Sequence, residues 1–256
     1  MLSKNRQKLV NSLRLLKFRQ EEGLFIAEGV KVVDELLKSN FQIHQIFATP
    51  EWILAHHIPA NRYLVEIVEI TQAELEKIST LGTPNQVLAI AFVPAKISIP
   101  DITGEWALLL DQIRDPGNLG TIIRTADWFG INRIIAANNT VDVWNPKVVQ
   151  ASMGSVFRMP VHYAEAEEFL SAYSGRIPVY GTLLEGEPLG KLPLNPGGIV
   201  VVGNESHGIS DKLIPFITTR ITIPAAMAGS GGRAESLNAS IAAAILCYEI
   251  RRQHPR

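Results

Sequence analysis

Residues 108 to 130 read LLLDQIRDPGNLGTIIRTADWFG, and the succession of residue types in them decides how the chain folds. Leu108 to Leu110 continue an apolar run begun at Trp106, and such a run without polar alternation reads as a strand buried on both faces. DQIRDPGN then interrupts it with proline and glycine, and a helical period takes over near Leu119 and lasts to Phe129. Asn118 stands where a helix N-cap belongs. The turn thus falls at the carboxyl end of a strand, which is where open α/β sheets place their ligands.

The pattern repeats outward from there. RIIAAN, PVHYA, PVYGTLL, GIVVVG and RITIP read as strands. Between them come a helix opened by Asn145 and Pro146, a helix over EAEEFLSAY, a short helix near Asp211 and a final alanine-rich helix. β-branched strands between helices imply a largely parallel sheet covered on both faces. On the amino-terminal side, Pro94 to Glu105 carries two prolines and a glycine without helical period and reads as a linker. Before it, FIA, GVKVVDELLKS, IHQIFA, EWILAHH, YLVEIV, a helix with Thr71 and Glu74 as its capping box, and QVLAIAFV make a smaller α/β unit.

With 256 residues, 46% of them hydrophobic, the chain can build real cores. A net charge of −1 gives no global basic field, so any site for a polyanion must be local. One such patch is the first 20 residues, where Lys4, Arg6, Lys8, Arg14, Lys17 and Arg19 occur with no acid while Leu9, Leu13 and Leu16 recur at helical spacing. A solvated surface helix, a phosphate-binding helix and an organellar transit peptide all fit that pattern. The single cysteine, Cys247, lies in an apolar helical run and suits a buried thiol in a reducing, cytoplasmic setting. No membrane-span-length apolar run is present, and the histidines show no metal-ligand spacing.

Three strand-end segments carry polar groups. The first holds Asn118 and Arg124, which read equally as a cap and a solvated charge or as a phosphate grip. IVVVGNESHGIS, residues 199 to 210, holds Glu205 between Gly203 and Gly208. RITIPAAMAGSGGRAESLNAS, residues 220 to 240, enters a glycine-rich loop and leaves it in SLN, with Ser236 able to cap the helix that follows. Gly229 to Ala234 also satisfies the loose dinucleotide fingerprint, but that unit requires a further strand and an acid roughly 20 positions on, and the sequence stops at Arg256. Convergence of three such turns in one sheet is what points to a site.

Together the three segments resemble the SpoU (TrmH) family of S-adenosylmethionine-dependent RNA 2′-O-ribose methyltransferases, of the SPOUT superfamily. GNLGTIIRTADWFG is similar to that family's first motif, VVGNESHGIS to its second and IPAAMAGSGGRAESLNASIAAAI to its third. LKFRQEEGLFIAEGVKVVDELL, residues 16 to 37, is similar to the start of the small RNA-recognition domain, resembling a ribosomal-protein fold, that many members carry. The resemblance implies an RNA substrate-binding domain over 1–94, a linker over 95–105 and a methyltransferase domain over 106–256 with a deep trefoil knot. It further implies S-adenosylmethionine as methyl donor and a homodimer with its site at the subunit interface.

By position, the resemblance gives Gly203, Ile223 and Leu237 as backbone contacts of the cofactor, with Thr182 and Leu183 beside them. It gives Asn118, Arg124, Glu205, Ser236 and Asn238 roles in RNA positioning and catalysis. Arg6, Lys8, Arg14, Lys17 and Arg19 are the RNA contacts expected in the smaller domain, with ribosomal RNA preferred over transfer RNA. The chain departs from the family in one place: eleven residues separate Pro224 from Ser236, and Ala225 follows Pro224 where methionine is usual. Met227 to Gly229 would restore the register. A catalytically silent RNA-binding protein on the same scaffold is the rival reading, and a nicotinamide enzyme a weaker one.

Overall fold

The computed structural model describes residues 1–56, 65–225 and 236–255. They gather into two units, Met1–Lys96 with Asp142–Arg158, and Ile97–Val141 with Met159–Arg256. The chain therefore leaves the second unit after Val141, contributes a segment to the first, and returns at Met159.

In the first unit the basic start, expected as one helix, forms two: α1 (Lys4–Ser12) and α2 (Leu16–Glu22). Arg19 accounts for the break. Its Nη1 donates to the carbonyls of Leu13 and Arg14, both at 2.9 Å, taking up backbone acceptors that the turn leaves free. The same guanidinium reaches Asp142 Oδ2 through Nε at 2.8 Å and Nη2 at 2.7 Å. With 3% of its surface exposed, Arg19 has no charge to offer an RNA, which corrects its place among the expected contacts. Arg19→Ala is expected to lower unfolding stability by about 1–3 kcal/mol, since it leaves the Leu13 and Arg14 carbonyls and the partly buried Asp142 carboxylate without their donor. Urea denaturation of the full chain measures it.

The sheet of this unit runs β1 (Leu24–Glu28), β4 (Val87–Phe92), β2 (Ile43–Ala48), β3 (Glu66–Glu69), with β4 antiparallel to both neighbours and β2 parallel to β3. Successive side chains of β1 point to opposite faces. Leu24 and Ile26 pack with Val10, Leu13, Phe47, Leu75 and Leu88 in one core. On the other face Phe25 stacks against Trp144, centroids 4.5 Å apart, and Phe41 and Phe157 close the cluster. Trp144, Phe157 and the helix α7 (Pro146–Ser152) that packs on β1 all come from the returning segment. Among the described residues the unit also has α3 (Val30–Lys38), α4 (Pro50–Ala55, overlapping the EWILAHH run) and α5 (Gln72–Glu76), the last opened by the expected Thr71–Glu74 capping box.

The second unit holds a six-stranded sheet in the order β10 (Thr219–Thr222), β8 (Val179–Pro188), β9 (Gly198–Val202), β5 (Trp106–Leu110), β6 (Arg133–Ala137), β7 (Val161–Ala164). Every pairing is parallel, as the unalternating strands implied. Helices α6 (Pro116–Phe129), α8 (Ala166–Tyr173) and α9 (Ala239–Gln253) complete the unit, and α6 packs against α9. The residues near Asp211 form a 3₁₀ turn over Asp211–Phe216. From β5 the chain moves one way to β6 and β7, then crosses to β8 and β9 on the other side. That reversal makes the carboxyl ends of β5 and β9 the place where a crevice opens.

Candidate functional site

Asp115, one residue before Pro116, is the N-cap of α6; its side chain accepts from the Asn118 amide at 2.9 Å. Asn118 is therefore not a cap, contrary to the expectation. Proline fits the first helical position, and its fixed φ moves the cap back to the residue before it. The Asn118 side chain is thereby left free. A similar correction holds at α9, where Asn238 and not Ser236 is the cap, its Oδ1 accepting from the amides of Ser240 at 3.0 Å and Ile241 at 3.3 Å.

These freed groups meet at Glu205. Asn118 Nδ2 donates to Glu205 Oε1, and Asn238 Nδ2 donates to Asn118 Oδ1 at 2.9 Å. The Ala239 amide, first in α9, donates to the same Oε1 at 3.3 Å, and Ser236 Oγ donates to the Glu205 carbonyl at 3.2 Å. A carboxylate at a helix N-terminus is favoured by the helix dipole. Four of the five polar residues implied by the resemblance thus form one connected group. Arg124 is not part of it: six residues on from Asn118, about 600° at 3.6 residues per turn, it points to another side of α6. It is exposed, and no described residue partners it.

Beside Glu205 lies a cleft of about 930 Å³, lined by all five expected cofactor contacts, Thr182, Leu183, Gly203, Ile223 and Leu237. Its shape follows from two local features. The β8–β10 register jumps, Gly181 pairing with Arg220 and Glu187 with Ile221, so residues 182–186 stand out of that ladder and 182–185 form a wall. Gly203 opens the loop after β9, where a Cβ would sit 2.3 Å from the Gly208 backbone, so only glycine fits this bend. Apolar Leu189, Ile209, Ile221 and Leu246 share the walls with the carboxylates of Glu185 and Asp211. That combination, in a volume within the usual ligand range of about 300–1,000 Å³, fits a nucleoside that carries positive charge.

Leu189, Asp211, Arg220 and Leu246 were not singled out in the sequence, because nothing local marks residues that converge only through strand crossings. Gly229 to Ala234, the inserted glycine loop, and Met227 lie outside the described residues. In the first unit Lys8, Arg14 and Lys17 are exposed, although Arg14 also donates to the Ser79 carbonyl at 2.8 Å and Lys17 lies 3.8 Å from Glu21. Arg6 is shared with Glu66 at 2.5 Å. Cys247 is buried as expected, and burial pushes its thiol up to about 12. No described helix is long and apolar enough to cross a membrane.

A parallel sheet with a ligand-sized cleft at the carboxyl ends of β8, β9 and β10, bordered by a glycine bend and a carboxylate–amide group, defines an α/β enzyme built around a small cofactor. Residues 105–248 match the model of the SpoU rRNA Methylase family, and residues 4–89 that of the MRM3-like substrate binding domain. The chain is 30% identical, over 93% of its own length and 93% of the relative's, to the 23S rRNA (guanosine(2553)-2′-O)-methyltransferase RlmP of Bacillus subtilis. A TrmH-family protein of Porphyromonas gingivalis superposes with a TM-score of 0.85 at 40% identity, covering 99% of both chains. An AdoMet-bound rRNA methyltransferase from Sinorhizobium meliloti superposes with a TM-score of 0.84 at 29% identity, covering 100% of this chain and 97% of its own. The chain belongs to the SpoU rRNA methylase family, and it is an S-adenosylmethionine-dependent RNA methyltransferase.

Proposed function

We propose that this chain methylates a ribose 2′-hydroxyl of ribosomal RNA, with S-adenosylmethionine held in the cleft at the carboxyl ends of β9 and β8. The observation that carries this reading is Glu205, which lies on the cleft and ties Asn118 and the start of α9 to it. When bound, S-adenosylmethionine supplies a methyl group made electrophilic by its sulfonium. Thr182, Leu183, Gly203, Ile223 and Leu237 hold that molecule; Glu205, Asn118, Asn238 and Ser236 fix the wall beside it. In-line transfer then depends chiefly on holding the ribose oxygen in place. A guanidinium offers only donors and no acceptor for a proton, so Arg124 grips a neighbouring phosphate and stabilises the developing alkoxide rather than taking the proton.

Ribosomal RNA is favoured by the relatives' names and by the match of residues 4–89 to a substrate-binding domain. Of the contacts expected in the first unit, Lys8, Arg14 and Lys17 offer it exposed charge, with Arg6 partly engaged. The bacterial relative and the single buried thiol favour a cytoplasmic location. The trefoil knot is supported by the start of α9, where Ser236 bonds the Glu205 carbonyl of the loop after β9 and the Ala239 amide bonds the Glu205 side chain.

The homodimer is supported by one exposed face of α6 and α9. Trp128 is 84% exposed, Ile241 50% and Tyr248 57%, which is costly apolar surface for a monomer. Arg124 stands one helical turn before Trp128, on the face that a second copy would cover. Trp128→Glu is expected to shift the protein from dimer to monomer in sedimentation and to lower turnover with it. The function itself is tested by incubating labelled S-adenosylmethionine with RNA from cells lacking the protein. Label at one 2′-O-methyl position of ribosomal RNA is the expected result. Cofactor binding with no transfer would favour the silent RNA-binding reading, and label confined to transfer RNA would redirect the target.

A further inference from the structure

Asp111 ends the buried run of β5 and is itself 2% exposed. Its Oδ2 accepts from both the backbone amide and the hydroxyl of Ser210, at 2.7 and 2.5 Å. The next residue, Gln112, has a φ of 59°, in the left-handed region, and works on the same loop from both of its polar ends. Its Nε2 donates to Ser210 Oγ at 3.0 Å, and its carbonyl accepts from Asn204 Nδ2 at 3.0 Å. The loop after β9 is therefore held at its entry, Asn204, and at its exit, Ser210, by two successive residues of β5's end. Between them Asn204 and Gly208 exchange backbone hydrogen bonds at 3.0 and 2.8 Å, which closes the loop on itself.

A carboxylate is an expensive group to bury, and an aliphatic side chain would continue β5 at less cost. What the carboxylate adds is direction, because it accepts two hydrogen bonds from a single residue at the loop's exit. That loop carries Gly203 and Glu205 to the cleft. We propose that Asp111 is a positioning residue for the methyl donor: acting through Ser210, it fixes the loop of Gly203 and Glu205 and so sets the affinity for S-adenosylmethionine. The proposal rests on the cleft being the cofactor site.

Asp111→Asn, Ser210→Ala and the double variant, all in the full chain, separate this role from support of the fold. Calorimetry with S-adenosylmethionine gives Kd, and steady-state kinetics at saturating RNA give KM for the cofactor and kcat. Losing the charge from two hydrogen bonds should weaken binding roughly tenfold in Asp111→Asn. KM should rise in step, while kcat at saturating cofactor stays within about threefold. Ser210→Ala should weaken binding less, since the Ser210 amide still reaches Asp111, and the double variant should fall short of the product of the two penalties, because the hydroxyl–carboxylate contact is shared.

Unchanged Kd and KM with a lowered thermal midpoint would mean that Asp111 only supports the fold, and would overturn the proposal. Penalties that multiply in the double variant would do the same, as would unchanged affinity in Ser210→Ala should Asp111→Asn not fold. Gly203→Ala tests the underlying reading separately. Undiminished cofactor binding in that variant would overturn the cleft as the site, whatever the Asp111 variants show.

Discussion

Arg124→Lys is expected to lower kcat roughly a hundredfold, the scale seen when a preorganised transition-state donor is removed, while S-adenosylmethionine affinity stays within about twofold. The side chain is exposed on α6 and no described residue partners it, so its replacement takes no support from the fold. Surface changes of that kind alter stability by about 0.5 kcal/mol or less. A large loss of turnover would therefore report the missing fork of donors and not unfolding. Lysine keeps the charge but presents a point donor that cannot bridge a phosphate and a developing alkoxide together. Turnover near that of the unaltered protein in Arg124→Lys would show that charge alone suffices. Arg124→Ala adds a second readout, because loss of a phosphate contact should reduce the salt dependence of RNA binding by about one unit of slope. If Arg124 serves the cleft of a second copy, mixing inactive Arg124→Ala and Glu205→Ala proteins should restore part of the activity.

Much of the second unit is legible in local pattern. The run from Trp106 to Leu110 is unalternating because β9 and β6 flank it and both its faces are covered, and that signal lies within five residues. The two cap positions misread the structure for a local reason: Pro116 moved the α6 cap to Asp115, and Asn238, two residues later, outcompeted Ser236. Each shift released the side chain that the site then uses. Other features depend on contacts between distant residues and leave no pattern behind. Arg19 looks like one more surface cation until Asp142, 123 positions away, is placed against it. Likewise, PKVVQAS reads as an ordinary crossover helix between two strands of the larger sheet, yet it packs on β1 of the smaller one. Nothing in its periodicity says which apolar face it will cover.

Glu205→Ala is expected to reduce kcat/KM for methyl transfer by about a hundredfold, whereas Glu205→Gln should remain within about tenfold. The difference follows from where the hydrogen bonds fall. Asn118 Nδ2 and the Ala239 amide both donate to Oε1, and a glutamine carbonyl can accept both in the same place. Glutamine loses the carboxylate's attraction to the α9 N-terminus, about 0.3–1 kcal/mol or a factor of about two to five. Alanine removes the acceptor itself, leaving the first amide of α9 and the Asn118 side chain without it at an additional cost of about 1–3 kcal/mol. It also frees the loop whose Gly203 bend shapes the cleft. Single-turnover rates and cofactor Kd for the two variants check this directly. A glutamine variant as poor as the alanine one would mean that the negative charge itself is required, and Glu205 would then have to be reconsidered as a group acting on the ribose hydroxyl proton.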